Sequence, residues 1–338
     1  MMLILFFGFL FGAFLQHANL NKYNTIAGMA TLENLTVAKT IAFAIGLGAI
    51  LINLEISLGL ASYHIKPVLL GGVILGGIIF GAGMAILGYC PGTLPISLGQ
   101  GSLDALTGII GGIAGALVFT LLWPGIEAIL GPDLGDISLH SIAGEGFLFY
   151  LFLIILGGIF MGIALWLDKL DGKTSYKWLH SAVGLAVVVA IVFLYSTTDR
   201  VVGASSTYPY LAGLLSGLTD HPYFQKVERS GNWELVFLSG AFLAGLVFSL
   251  LKKEFRLSMI HAHWIKYKGH TPVKRAVWSF IGGFLLLFGA RMAGGCTSGH
   301  VISGGMQLAV SSLIFALFVF GGLLVTGKLF YKSGNSSR

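Results

Sequence analysis

The chain has 338 residues, of which 56% are hydrophobic and 10% charged, with a formal net charge of +6. Soluble domains carry roughly 25% charged residues, so most of this surface must face lipid, and the Lys/Arg excess is accounted for by membrane topology without nucleic-acid binding. No Pro/Ser-rich linker divides the chain, and two cysteines are too few for a disulfide framework or a zinc site. No nucleotide-binding Gly-rich loop points to direct ATP drive, and no cofactor motif stands out.

Windows of about 20 apolar residues predict nine transmembrane spans: 2–17, 38–58, 67–89, 103–123, 147–167, 179–195, 233–251, 276–294 and 307–327. No ten-residue alternation suggests a barrel, so the expected fold is an all-α polytopic membrane protein. The first segment has no positive charge ahead of its apolar run and no small-residue cleavage site, which reads as a retained span. Between the sixth and seventh spans, residues 206–218 carry Pro209, Gly213 and Gly217 and predict a re-entrant half helix.

Charge predicts the orientation. One side of the nine-span layout collects Lys22, Lys39, Lys169, Lys173, Lys177, Lys252, Lys253, Arg256, Lys266, Lys268, Lys274, Arg275, Lys328, Lys332 and Arg338. The other holds Lys66, Arg200, Lys226 and Arg229, a ratio of 15 to 4. The positive-inside rule makes the first side cytoplasmic, with the N-terminus outside and the C-terminus inside.

The chain also repeats itself. A shift of 206 residues lays Gly76, Gly77, Gly83, Gly88, Cys90, Ile96, Ser97 and Gly99 onto Gly282, Gly283, Gly289, Gly294, Cys296, Ile302, Ser303 and Gly305, eight identities in 24 positions. The third and eighth spans differ by an odd number of crossings, so the copies should run antiparallel. We expect one transporter domain in two inverted halves, about 1–146 and 147–338, meeting near the bilayer midplane. Glycine-broken apolar segments at matching places in two halves are the best sequence pointer to a substrate site.

Both cysteines lie at the breaks. In the first copy Pro91 drives Cys90 out of helical geometry and Pro95 opens a new helix, so N–H groups from Gly92 and Thr93 onward should point into the gap and favour an anion. The second copy, Gly294-Gly295-Cys296-Thr297-Ser298-Gly299-His300, makes the same break with glycines and hydroxyl residues. Neither gap contains a carboxylate, which a cation path would want. An unperturbed thiol is about 3% ionised at pH 7, and a neutral S–H donates a weak hydrogen bond that a passing anion can leave. A lone membrane cysteine is ordinarily a small buried hydrophobe; equivalence within the repeat and the flanking helix breakers argue against that here.

Arg291 is the basic residue set deep in a span, where it costs about 2.5–3.5 kcal/mol on insertion scales and calls for a partner or a purpose. The plain alternative is an interface snorkel or a tie between helix ends. Weaker candidates are Gln16, His17 and Asn19 at the end of the first span, Glu55 late in the second, Ser97 and Ser303 within the repeat, and His300 after the second motif. Interface anchoring or interhelical bonding is the plainer reading for most of them. The basic stretch 252–275 reads as a solvated loop meeting acidic lipid, with docking of an acidic partner as the alternative. An intramembrane thiol–disulfide oxidoreductase lacks a Cys-x-x-Cys motif and a second dithiol. A soft-metal permease lacks acids near the motifs.

The stretches Gly88-Tyr89-Cys90-Pro91-Gly92-Thr93 and Gly289-Ala290-Arg291-Met292-Ala293-Gly294-Gly295-Cys296-Thr297-Ser298-Gly299-His300 resemble the YeeE/YedE family of bacterial sulfur transporters, and the similarity runs through nearly the whole chain. The resemblance implies an inner-membrane, inverted-repeat protein pinched to an hourglass, without cofactor or resident metal. It implies import of thiosulfate or a related sulfur or selenium species past Cys90 and Cys296 by transient S–H hydrogen bonds. A small cytoplasmic sulfur-carrier protein is the partner implied. Family members often carry a further cysteine near the end of the first span, where this chain reads Leu15-Gln16-His17-Ala18-Asn19-Leu20-Asn21.

Overall fold

The computed structural model describes residues 1–144, 146–172, 175–195 and 201–332. Lys173, Arg200 and Arg338 of the charge count lie outside the described residues. Each of the nine predicted spans is a helix: α1 (Met2–His17), α3 (Thr36–Ser57), α4 (Leu70–Leu87), α6 (Leu103–Leu130), α8 (Phe147–Asp171), α9 (Lys177–Tyr195), α11 (Pro222–Leu251), α13 (Pro272–Met292) and α14 (Val310–Phe330). Eight of these are at least 18 residues long and apolar enough to cross a membrane, while α1 has 16 residues. Short helices α2 (Tyr23–Ala30), α5 (Leu94–Gly99), α7 (Leu139–Ala143), α10 (Thr207–Ser216) and α12 (Ala262–Lys268) fill the connections, and Thr297–Gly304 forms a π-helical segment. The re-entrant helix expected at 206–218 is α10.

Two spans differ in extent from their sequence windows. Helix α6 continues through Pro124 to Leu130; a proline removes one helical hydrogen bond, and beyond it Ile126 and Leu130 are buried. Helix α11 begins at Pro222, not near residue 233, because Lys226, Glu228 and Arg229 depress hydropathy over turns that are nonetheless helical.

Glycine sets the centre of the bundle. Helices α4 and α13 run antiparallel and touch at two places related by the 206-residue shift. A Cβ on Gly83 would stand 2.8 Å from the Gly282 carbonyl oxygen, and one on Gly289 2.7 Å from that of Gly76. Such backbone approach excludes any side chain. Helix α6 packs along α13 and α14 along α4, which is the same relation in each copy. Around this core α1 lies against α11 and α3 against α8 and α9; α8 is the span least enclosed by protein.

Both central helices end alike. Gly88 (φ 75°) and Gly294 (φ 71°) are left-handed, so the repeat keeps glycine there to turn the chain out of the helix. Arg291 is not the sole buried base. Lys39, 2% exposed, bonds Asp168 and Asp171 at 2.8 Å each, and Arg275 is fully buried against Asp104 at 2.7 Å. Both sit at helix starts, where hydropathy windows place an interface.

Candidate functional site

The first break is pinned from below. The Cys90 carbonyl accepts the Thr93 and Leu94 N–H groups at 3.0 and 3.1 Å, and the Cys90 N–H donates to Thr93 Oγ1 at 2.9 Å. The Thr93 N–H expected to face an anion is therefore spent inside the turn, since the chain closes a tight loop before α5 starts. The Arg275 guanidinium donates to the carbonyls of Ile86 and Leu87, the last turn of α4, at 3.1 and 2.6 Å. Asp104 holds that arginine and also accepts from Tyr89 Oη at 3.2 Å, with His261 Nε2 at 3.0 Å. Tyr208 on α10 donates to the Pro91 carbonyl at 3.1 Å.

The second break is open to a large cavity. Its volume is about 530 Å³, and its wall includes Lys66, Lys226, Arg291, Glu234, Asp136, Gly294 and Gly299. Arg291 is buried in that wall, donating from Nε to Tyr223 Oη at 2.6 Å and from Nη1 to Ser205 Oγ at 3.2 Å. Lys66 Nζ donates to the Gly294 carbonyl at 2.8 Å. Glu234 Oε2 accepts the N–H groups of Ser206 and Thr207 at 2.6 and 3.2 Å, capping α10. Three basic side chains face two acidic ones, so the wall carries net positive charge.

A second cavity of about 40 Å³ lies toward the face that collects the basic loops. It is lined by Cys90, Gly92 and Thr93 from the first motif and Thr297 and Ser298 from the second, with Phe11, Leu15, Leu20, Ile26 and Met84 around them. It has room for at most a few waters. Cys296 is fully buried with Sγ 3.1 Å from Ser298 Oγ, and both cysteines are free thiols. Thr297 and Ser298 thus face the small cavity while Gly299, the next residue, faces the large one.

The remaining candidates separate. Gly88 is the left-handed turn itself, packed by the Tyr23 ring, and Gly295 lies beneath the Lys66 ammonium. His300 lines neither cavity; its ring nitrogens meet Ser312 Oγ at 3.1 Å and the Ala293 carbonyl at 2.7 Å, so it braces the π-helical segment. Ser97 bonds the Asn21 carbonyl and Ser303 the Val202 carbonyl. His17 and Asn19 are exposed, whereas Gln16 is buried with neither amide atom partnered, and half-buried Glu55 has one unpartnered oxygen. Leu15 and Leu20, in the stretch where the resemblance led to the expectation of a further cysteine, line the same small cavity as Cys90.

Sequence reasoning missed Lys66 and Glu234. The expectation that no acid approaches the motifs is overturned, because Glu234 shares a cavity with Arg291 and Lys66. Its signal was available, as an acid inside the predicted span 233–251. Lys66 gave less warning, being one of few bases on its side and followed by Pro67. Among the described residues no three His, Cys, Asp or Glu side chains come together to hold a metal ion.

Antiparallel broken helices carrying cavities on either side of a closed centre define a multi-pass membrane transporter. The family model for sulphur transport matches residues 17–325, and the chain belongs to that family. It is a transporter and not an enzyme. The chain is 28% identical over 331 residues to the thiosulfate transporter TsuA of Spirochaeta thermophila, an alignment covering 93% of this chain and 94% of that one.

Proposed function

We propose that the protein imports thiosulfate or a closely related sulfur anion across a bacterial inner membrane, between Cys90 and Cys296. The observation that carries this reading is the meeting of the two motifs. Contiguous residues Thr297, Ser298 and Gly299 separate a basic cavity of about 530 Å³ from one of about 40 Å³ that contains Cys90. The likeness to a thiosulfate transporter supports the choice of anion.

By the positive-inside rule the large cavity opens outward and the small one toward the cytoplasm, with the N-terminus outside and the C-terminus inside. The two halves, 1–146 and 147–338, contribute one broken helix each. An anion gathers in the outer cavity, where Arg291 and Lys66 offset the cost of leaving water. It then passes the thiols, whose neutral S–H groups bond sulfur or oxygen weakly enough to release it. A five-atom anion does not fit the inner cavity as it stands, so passage requires its wall to move. Met84, an unbranched and adaptable side chain, is the natural part to yield. On the inner face the exposed basic side chains between α11 and the first turn of α13, Lys252, Lys253, Arg256, Lys266 and Lys274, are where anionic lipid and a small sulfur-carrier protein would dock.

Uptake of labelled thiosulfate by proteoliposomes tests the reading, with sulfate, sulfite and selenite as competitors. Cys90→Ala and Cys296→Ala should each reduce the initial rate about two- to tenfold while the protein still inserts, the loss of one hydrogen bond that acts only in transit. Full uptake by both variants rejects the thiol passage. Equal competition by all four anions rejects selectivity for a sulfur-terminated substrate.

A further inference from the structure

Between the outer cavity and Cys296 stands Lys66, which no motif assigned. Its backbone is fixed from two sides: the Lys66 carbonyl accepts from Ser311 Oγ at 2.8 Å, and the nearby His64 N–H donates to Gln307 Oε1 at 2.6 Å. From that anchor the side chain reaches over the second break and sets its ammonium on the Gly294 carbonyl at 2.8 Å. The two glycines that bracket Cys296 make room for it. A Cβ on Gly299 would lie 3.1 Å from Nζ, and one on Gly295 would overlap it. A Cβ on Gly295 would also press on the His300 ring at 2.7 Å, so glycine there leaves room for both the lysine and that ring, and neither glycine has positive φ.

Among the described residues no carboxylate lies within ion-pair distance of Nζ. Among the described residues the hydrogen-bond partner of Nζ is the neutral Gly294 carbonyl, which a dianion outcompetes because it adds charge–charge attraction to the hydrogen bond. Lys66 and Arg291 belong to the same cavity wall, so an anion can be held between them.

We propose that Lys66 is the capture residue for the substrate: its ammonium leaves the Gly294 carbonyl to bind a small divalent oxyanion against Arg291, and in doing so uncovers the Gly295–Gly299 floor that leads to Cys296. This rests on the anion-import reading and adds to it a named binding group with two positions. The arm serves as lid and ligand at once, so the way to the thiol opens when a dianion is present to hold it.

Protonation provides the test. The titratable and charged groups around Lys66 are Arg291 on α13, Glu234 and Lys226 on α11, Asp136 ahead of α7, His64 on its own loop, Cys296 before the π-helical segment and His300 within it. Burial pushes the Lys66 ammonium down to about 8. The charged form exists below that value, so capture should weaken as pH rises through about 8. Arginine stays charged throughout.

Thiosulfate uptake would be measured in proteoliposomes from pH 6.5 to 9.5 for the wild type, Lys66→Arg and Lys66→Met, together with the thiosulfate-induced rise in thermal midpoint of the detergent-solubilised proteins. The expected result is a KM at least about tenfold higher for Lys66→Met, the loss of one charge-assisted bond, with its thermal shift gone. The wild-type KM should rise across pH 8 while that of Lys66→Arg stays level. An unchanged KM and thermal shift in Lys66→Met overturns the proposal and leaves thiosulfate import standing. If Lys66→Met does not insert, parallel pH profiles for wild type and Lys66→Arg overturn it. A wild type that takes up no sulfur anion rejects the import reading itself, and the capture role with it.

Discussion

The break after α4 and the break after α13 share a left-handed glycine, a cysteine two residues later and a short helical segment beyond, yet they are finished in opposite ways. Each leaves carbonyl groups at the end of a helix, the negative pole of its dipole. At the first, Arg275 covers the carbonyls of Ile86 and Leu87 and is itself tied to Asp104, with Tyr89 and His261 closing the cluster. At the second, His300 covers the Ala293 carbonyl and Lys66 that of Gly294, and Lys66 has its head in a cavity. The repeat position of Gly295 is Tyr89 in the first copy, so the space kept for a moving lysine in one copy is filled by a ring in the other. Symmetry of sequence has thus produced one fixed half and one responsive half. A transporter needs such a difference if the substrate is to be caught on one side and released on the other.

The largest effect should come from unlocking the fixed half. Arg275 and Asp104 are both fully buried, and removing one leaves an unpaired charge, which costs about 3–5 kcal/mol. Arg275 also lies over the rings of Tyr23 at 4.2 Å and Trp264 at 5.0 Å, so the loss reaches α2 and α12. Asp104→Ala and Arg275→Ala should each lower the thermal midpoint in detergent far more than Lys66→Met does. A midpoint for Arg275→Ala no lower than that for Lys66→Met would erase the distinction drawn between the breaks.

How much of this was readable in advance depends on the range of the signal. Spans announce themselves locally through hydropathy, and so do the breaks, because Pro91, Pro95 and the glycines act on their own neighbours. The antiparallel run of α4 and α13 followed from the odd number of crossings between the third and eighth spans, while the role of Gly76, Gly83, Gly282 and Gly289 as the seam between them came only with the fold. The Asp104–Arg275 pair left no trace of that kind. Its partners are 171 residues apart, each looked like an ordinary charge at a helix start, and only folding places one opposite the other. Glu234 failed to register for a different reason: it lies outside both motifs, and α11 carries it to the second one through space.

A middle-sized effect should separate packing from chemistry. Gly289→Val places a branched side chain where a Cβ would already be 2.5 Å from the Phe80 nitrogen, so the helices must part. Overpacking of this kind costs about 1–3 kcal/mol. Its repeat counterpart Gly83→Val should cost a similar amount, since a Cβ there meets the Gly282 carbonyl in the same manner. Thermal midpoints of the two variants are expected to fall together, because the glycine seam belongs to both copies equally. A large drop in one and none in the other would show that the seam is as asymmetric as the caps.

The smallest effect tests how tightly the fixed half is determined. His261 is partly exposed; its Nε2 lies 3.0 Å from Asp104 and 3.1 Å from Tyr89 Oη, and its ring stacks on that of Tyr23 at 5.2 Å. With His261 replaced by Gln, Asp104 still accepts from Tyr89 and Arg275, so no buried charge is stranded. The cost should be that of one ordinary hydrogen bond, about 0.5–1.5 kcal/mol. Thiosulfate uptake in His261→Gln should keep the wild-type KM, because the α4 carbonyls stay covered and Cys90 stays where Thr93 and Tyr208 hold it. A raised KM in this variant, with the thermal midpoint nearly unchanged, would mean that the first break also moves during transport, and the contrast between a locked and a responsive half would have to be given up.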